Sequence, residues 1–242
     1  MFNLFTRKKT SPPPTLRVDI HSHLLPGIDD GVKTPEQAAE IIRYFQSKGY
    51  TKIITTPHIL PDIYRNTPAT ISAAHKILVD HLKEQSIQME IVAAAEYYLD
   101  ETLLASLDHT EELLTFSGKY LLFETNFMNE PLNMKEFIFR ATSKGYKLVL
   151  AHPERYAYLN NDLRKIQDLI DRGVLLQINM SSLIGYYSKP AQSMAFRMID
   201  QGFVHFLGSD CHHLAQAKLF EEIFKAKYFQ KALTLPLLNN II

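Results

Sequence analysis

Nine residues of metal-ligand type punctuate this 242-residue chain: His21, His23, Asp30, His58, Glu96, Glu124, His152, Asp210 and His212. The densest pair is His21-Ser22-His23, two imidazoles at i and i+2 that project to the same side of an extended segment and so reach one ion together. Alone, a His-x-His tripeptide is mostly accidental. Each remaining position also has an ordinary explanation: solvated strand-end carboxylates for Glu96 and Glu124, loop histidines for His58 and His152, and a capped turn for Asp210-Cys211-His212. Those explanations would have to hold simultaneously for five histidines and four carboxylates. Clustered without cations, the four carboxylates would repel one another and shift strongly upward in pKa. Three divalent ions remove the conflict and leave a site of roughly +2 formal charge, suited to a phosphate dianion. A mixed imidazole and carboxylate set without thiolate favours manganese, with iron and zinc as alternatives, over calcium or copper(I).

Arg155, three residues beyond His152 in His-Pro-Glu-Arg, is the candidate grip for substrate, because a guanidinium holds two phosphate oxygens in a fork. Its ordinary reading is a surface arginine. Gln177 and Asn179 sit at i and i+2 in an apolar run that reads as a buried strand, so their amides need partners and are candidates for contacts with ligand residues or substrate.

These residues require a frame that brings distant positions together. From residue 16, β-like apolar runs alternate with helical patterns, which predicts parallel strands joined by crossover helices. Seven strand cores are expected, over 16–20, 52–56, 90–95, 120–124, 147–151, 174–179 and 204–208. A typical helix spans 35–49, where Ala38, Ile41, Ile42 and Phe45 recur at helical spacing before Gly49. Six of the seven strands end in a ligand-type residue, and in an α/β barrel the strand carboxyl ends converge on one mouth. The expected architecture is therefore α/β, a seven-stranded (β/α)7 TIM-like barrel over 16–242 in a single domain. The stretch 57–67 reads as a loop bordering the site, and 214–242 reads as either a barrel cap or a subunit contact.

Lysine plus arginine and aspartate plus glutamate are both 26, so no global field recruits nucleic acid or an anionic membrane. With one cysteine, Cys211, no disulfide can form within the chain. Residues 1–15 read as a flexible, basic, proline-rich tail without a signal-peptide core, and no apolar run approaches a transmembrane span. The expectation is a cytoplasmic protein. A cysteine-based phosphatase is disfavoured, because the arginine it needs six positions after its nucleophile is replaced by Ala217.

The segments Asp19-Ile-His-Ser-His23, Leu25 to Gly31, Thr55-Thr-Pro-His58, Ala95-Glu-Tyr97, Phe123-Glu124, Ala151 to Arg155, Gln177-Ile-Asn179 with Ser182 and Gly185, and Gly208 to His212 resemble the polymerase and histidinol phosphatase (PHP) superfamily. Within it, Leu25–Gly31 and His-Pro-Glu-Arg resemble the bacterial capsule-type, manganese-dependent protein-tyrosine phosphatases. The resemblance implies a distorted barrel with three ions: one on His21, His23, Glu96 and Asp210, a second on Glu96, Glu124 and His152, a third on Asp30, His58 and His212. It implies phosphate binding by Arg155 and a phosphotyrosine protein as substrate, notably the tail of a bacterial tyrosine kinase regulating exopolysaccharide export. Where the family has a small residue this chain has Cys211, and Lys218 is the nearest match to a basic residue expected after His212. The expected chemistry is attack on phosphorus by a metal-activated hydroxide. The rival readings are hydrolysis of histidinol phosphate or another small phosphoester, and a noncatalytic metal-bound scaffold.

Overall fold

The strand and helix patterns meet in a computed structural model that describes residues 15–109 and 113–242. Along the chain run β1 (Val18–Asp19), α1 (Pro35–Ser47), β2 (Lys52–Thr55), β3 (His58–Ile59), α2 (Pro68–Glu84), β4 (Glu90–Ala93), β5 (Glu96–Tyr98), α3 (Glu101–Ser106) and β6 (Tyr120–Glu124). There follow α4 (Met134–Ser143), β7 (Lys147–Ala151), α5 (Leu163–Asp171), β8 (Leu175–Asn179), α6 (Lys189–Gln201), β9 (Phe206–Gly208), α7 (Leu214–Lys218), α8 (Phe220–Ile223) and α9 (Lys227–Ala232). All strand pairings between these elements are parallel. The tail expected over 1–15 lies, apart from Thr15, outside the described residues. Among the described residues no helix is long and apolar enough to cross a membrane.

Local sequence explains the elements. In α1 the Thr34 hydroxyl accepts from the Gln37 amide, Pro35 opens the first turn, and Ala38, Ile41, Ile42 and Phe45 form the buried stripe. The helix ends at Ser47, two residues before the expected limit, and the chain reverses at Gly49 with φ +92°. Strand alternation sorts side chains between two cores. In β6, Leu121 and Phe123 face the helices, where Phe123 meets Phe137 of α4 edge-on, while Leu122 and Glu124 point the other way. The inward residues Val18, Ile20, Ile54, Leu122, Val149, Ala151 and Phe206 build a separate apolar plug. Each large side chain so buried contributes about 1.5–3 kcal/mol of transfer free energy.

Two of the seven expected strands are each followed by a second short strand outside the expected bounds. Thr56-Pro57 separates β2 from β3, which lies in the stretch 57–67 expected to be a loop, and Ala94-Ala95 separates β4 from β5. Pro57 has no N–H to donate to a ladder, although its carbonyl accepts from the Glu96 amide at 3.1 Å. The result is a three-stranded sheet, β1-β2-β4, beside a six-stranded sheet, β3-β5-β6-β7-β8-β9. The break sets His58 directly opposite Glu96 in the register of the second sheet.

Between β9 and β1 there is no strand ladder, and other groups bridge that seam at three levels. Lowest, the buried Asn239 side chain accepts from Leu207 N–H and donates to the carbonyls of Val18 and Leu207. In the middle, Ser209 donates through its amide and its hydroxyl to Asp19. At the top, Asp210 N–H donates to the His21 carbonyl at 2.8 Å and His23 N–H to that of Cys211 at 2.9 Å. Of the stretch 214–242, Asn239 thus packs into the protein's own seam.

Candidate metal centre

The extended run Asp19–His23 carries His21 and His23 to the carboxyl end of β1, where each imidazole is held through Nδ1. His23 Nδ1 lies 2.8 Å from Asp29 Oδ2, and His21 Nδ1 lies 2.8 Å from Gln177 Oε1. A carboxylate only accepts, so His23 Nδ1 is the donor. The Gln177 amide nitrogen donates onward to Asn179 Oδ1 at 2.8 Å, which orients Gln177 Oε1 as an acceptor for His21. In neutral imidazoles this leaves both Nε2 atoms as lone-pair donors, and they face each other at 3.3 Å.

Two carboxylates complete the group. Glu96 Oε2 is 3.1 Å from His21 Nε2 and 3.5 Å from His23 Nε2, and Asp210 Oδ1 is 3.5 and 3.4 Å from the same atoms. Ligands bound tetrahedrally at metal–ligand distances of 2.0–2.2 Å lie about 3.3–3.6 Å apart, so the two Nε2 atoms have close to the spacing of one coordination shell with each carboxylate oxygen in turn. Facing lone pairs and carboxylates at such distances repel unless a cation lies among them.

The other expected ligands adjoin this group. His152 Nε2 is 3.0 Å from Glu96 Oε1 and 3.9 Å from Glu124 Oε2. His58 Nδ1 is buried without a hydrogen-bond partner among the described residues, yet lies 3.2 Å from Glu96 and 3.1 Å from Glu124. Asp30 Oδ1 is 3.6 Å from His58 Nε2 and 3.5 Å from His212 Nε2. Seven of the nine sequence-selected ligand types therefore fall in overlapping sets able to hold metal, His21, His23 and Glu96; His58, Glu96 and Glu124; and His23, Asp30, His58 and His212, while His152 and Asp210 adjoin them through Glu96 and through His21 and His23. Two of these residues have left-handed backbones, His152 at φ +35° and Asp210 at φ +49°, a conformation that costs of order 1–3 kcal/mol and persists where the surroundings enforce it.

Electrostatics show what the cluster needs. Burial pulls His21 down, but Glu96 and Asp210 overcome it and raise its pKa to about 9; His23 is raised well above its ordinary value against the same penalty, chiefly by Asp29. Burial pushes Glu96 and Asp210 up, yet the imidazoles, His21 foremost, hold both well below the usual carboxylate range. Asp30, drawn down by its hydrogen bond with His212, falls to about 2. The cluster thus demands positive charge, which protons supply until a metal displaces them.

Arg155 follows His152 in a short 3₁₀ turn and lines the same cleft of about 350 Å³, with Phe127, Tyr186, Tyr187 and His213. Its Nη1 donates to Asp210 Oδ2 at 3.2 Å. Glu154 is buried behind it, accepting from Ser182 Oγ at 2.6 Å and Asn179 N–H at 3.0 Å, which ties the turn to the end of β8. Asn179 Nδ2 reaches Asp210 Oδ2 at 2.6 Å. Gln177 also packs tightly against Gly208, where a Cβ would come within 2.6 Å of its amide nitrogen. Lys218 is exposed on α7 and does not line the cleft. Cys211 is buried, and burial pushes its thiol far up, which removes it as a nucleophile.

Four contributors, Asp29, Phe127, Tyr187 and Asp19, have no distinguishing sequence signal. Asp29 and Asp30 are adjacent, and only the fold turns Asp29 inward to His23 and to the His58 amide while Asp30 faces the cleft. Phe127 and Tyr187 occur in loops with no motif spacing. Asp19 stands two residues before the His-x-His segment, yet its pairing with Ser209 across the seam is visible only in three dimensions.

Known proteins share this chain's sequence and shape. The profile of the family "Capsular polysaccharide synthesis, CpsB/CapC" matches residues 17–227. The tyrosine-protein phosphatase YwqE of Bacillus subtilis is 29% identical over 197 residues, covering 81% of this chain and 78% of YwqE. The tyrosine-protein phosphatase CpsB of Streptococcus agalactiae is 27% identical over 203 residues, covering 81% and 83%. A crystal structure from work on YwqE of Bacillus subtilis and CpsB of Streptococcus pneumoniae, metal-dependent tyrosine phosphatases, matches with a TM-score of 0.76 at 27% identity, over 88% of this chain and 89% of that one.

Proposed function

This chain belongs to the CpsB/CapC capsular polysaccharide synthesis family, and from that premise we propose that it is a cytoplasmic, metal-dependent protein-tyrosine phosphatase. Its substrate is a phosphotyrosine protein, in our reading the tail of a bacterial tyrosine kinase governing capsule or exopolysaccharide synthesis. The observation that carries the proposal is the pair of Nε2 atoms of His21 and His23 facing each other at 3.3 Å beside Glu96 and Asp210. That arrangement fits a bound cation and is unfavourable without one.

In this reading His21, His23, Glu96 and Asp210 would hold one divalent ion, Glu96, Glu124 and His152 a second, and Asp30, His58 and His212 a third. Manganese suits the mixed donor set, with iron and zinc its competitors. When bound, the ions supply Lewis acidity, acidifying water near neutral pH and offsetting charge on the phosphoryl oxygens. Arg155 binds and orients the phosphoryl group, because its remaining N–H donors meet no protein acceptor among the described residues. Phe127 and Tyr186, part-exposed at 38% and 47%, offer aromatic edges to the phenyl ring of the substrate. The phenolate of an aryl phosphate is also a good leaving group, so the site needs no strong general acid. Gln177 and Asn179 orient His21 and Asp210. The seven β/α units are read as one distorted (β/α)7 barrel, a single domain over 16–242 closed at the β9–β1 seam.

The experiment is hydrolysis of a phosphotyrosine peptide beside histidinol phosphate by protein stripped of metal and then given manganese. Manganese-dependent turnover of the peptide is the expected result. Preference for histidinol phosphate would transfer the site to small-molecule chemistry, and no turnover with any metal would leave only a binding scaffold.

A further inference from the structure

The guanidinium of Arg155 lies over two aromatic rings. Its central carbon lies 4.1 Å from the centroid of Tyr187 and 4.7 Å from that of Phe127. Each ring is itself anchored to the metal cluster. Phe127 stacks on the His152 imidazole, with centroids 5.7 Å apart and planes 16° from parallel, and it also packs against the buried Tyr156 at 5.4 Å. The Tyr187 hydroxyl receives the Asn179 amide at 3.1 Å and the Gln216 amide at 3.4 Å, which leaves its proton for Asp210 Oδ2 at 3.0 Å.

Asp210 joins the two arrangements. Its Oδ1 faces His21 and His23, while Oδ2 accepts from Arg155, Asn179 and Tyr187 together. Three donors leave Oδ2 no capacity for a second task. Arg155 is thereby pinned at one nitrogen and flanked by two rings, and its remaining N–H donors are available to a ligand in the cleft.

Resting on the phosphatase reading above, we infer that Phe127 and Tyr187 are positioning residues that hold the Arg155 fork ready for the phosphoryl oxygens. A free arginine side chain carries several rotatable bonds whose freedom is lost on binding, and a clamp that removes that freedom beforehand strengthens phosphate binding without touching the phosphoryl group. Cation–π contacts of this kind account for roughly a three- to thirtyfold effect in a partly desolvated site.

The test measures binding of inorganic phosphate to the manganese-loaded full chain by calorimetry, together with KM and kcat for an aryl phosphate. Phe127→Leu is the first variant, because this residue is part-exposed and its loss leaves the strand core intact. Tyr187→Leu and Tyr187→Phe follow, with manganese content measured for all. The expectation is that Phe127→Leu and Tyr187→Leu each weaken phosphate binding and raise KM about tenfold with manganese content retained and kcat changed less. Tyr187→Phe, which keeps the ring but gives up the Asp210 bond, should recover phosphate binding to within about threefold of the parent. Unchanged phosphate affinity in both leucine variants would overturn the inference, as would an equal loss in Tyr187→Phe and Tyr187→Leu, since the ring would then be irrelevant. If the parent chain binds phosphate but turns over no aryl phosphate, the phosphatase reading fails while the clamp is still judged on phosphate affinity alone.

Discussion

The two halves of the strand interior are built on opposite terms. Below, Val18, Ile54, Leu122, Val149 and Phe206 fill the space with apolar side chains. Above, the carboxyl ends of the strands and the residues just beyond them present His21, Glu96, Glu124, His152, Gln177, Asn179 and Asp210, all buried, with left-handed backbones at His152 and Asp210. The lower half gains free energy by leaving water. The upper half holds buried carboxylates and imidazoles that balance only with added positive charge. One set of strands can therefore support a costly site because its stability is supplied underneath, and damage to the two halves should have separable consequences.

The largest expected effect lies in the upper half. His152→Ala should lower phosphotyrosine hydrolysis by about 10³-fold or more and lose bound metal, whereas Arg155→Ala should lose a comparable share of activity and keep its metal. Both should unfold near the parental temperature in the metal-free form, and full activity in Arg155→Ala would remove it from phosphate binding. Leu122→Ala sharpens the contrast from below: a cavity in the plug should cost about 2–5 kcal/mol in urea unfolding, with metal content per folded molecule unchanged. Metal loss in that variant at temperatures where it remains folded would show that the halves are not independent.

The third effect is a pH dependence. Metal-free, folded His21 has its pKa raised to about 9, so the protonated form favours folding. That stabilisation is fully present below the unfolded value of about 6.5 and is lost as pH rises through about 9. Unfolding free energies of stripped protein should accordingly decline over this window by up to about 3 kcal/mol. Manganese-loaded protein, with the ion in place of the proton, should not follow that decline, and parallel curves for the two forms would contradict the cluster electrostatics. Smallest is Asp29→Asn, which removes the carboxylate behind His23 and should weaken metal affinity about 10–100-fold, measured by competition with a chelator.

Much of this molecule was readable along the chain. The α1 stripe and its Thr34 cap, the apolar strand cores, and the placement of ligand-type residues at strand ends are local features with local causes. Inward orientation of Gln177 and Asn179 follows from period-two alternation with Leu176 and Ile178, and the need for partners follows from their polarity. The second short strands after β2 and β4 were not readable in the same way. Pro57 explains one break afterwards, but its effect, placing His58 opposite Glu96, depends on where β5 lies. The sealing of the β9–β1 seam by Asn239 depends likewise on a partner more than two hundred residues away in Val18.

By itself, then, the sequence determined the alternating α/β scheme, the chemical types available at the mouth and their need for cations, because periodicity, capping and charge are properties of neighbours along the chain. Tertiary structure alone decided which of Asp29 and Asp30 orients an imidazole and which faces the cleft, that Asp210 divides its two oxygens between the metal cluster and Arg155, and that Phe127 and Tyr187 flank that arginine. Those assignments rest on distances between side chains far apart in sequence. Such distances exist only once the strands have assembled around the site.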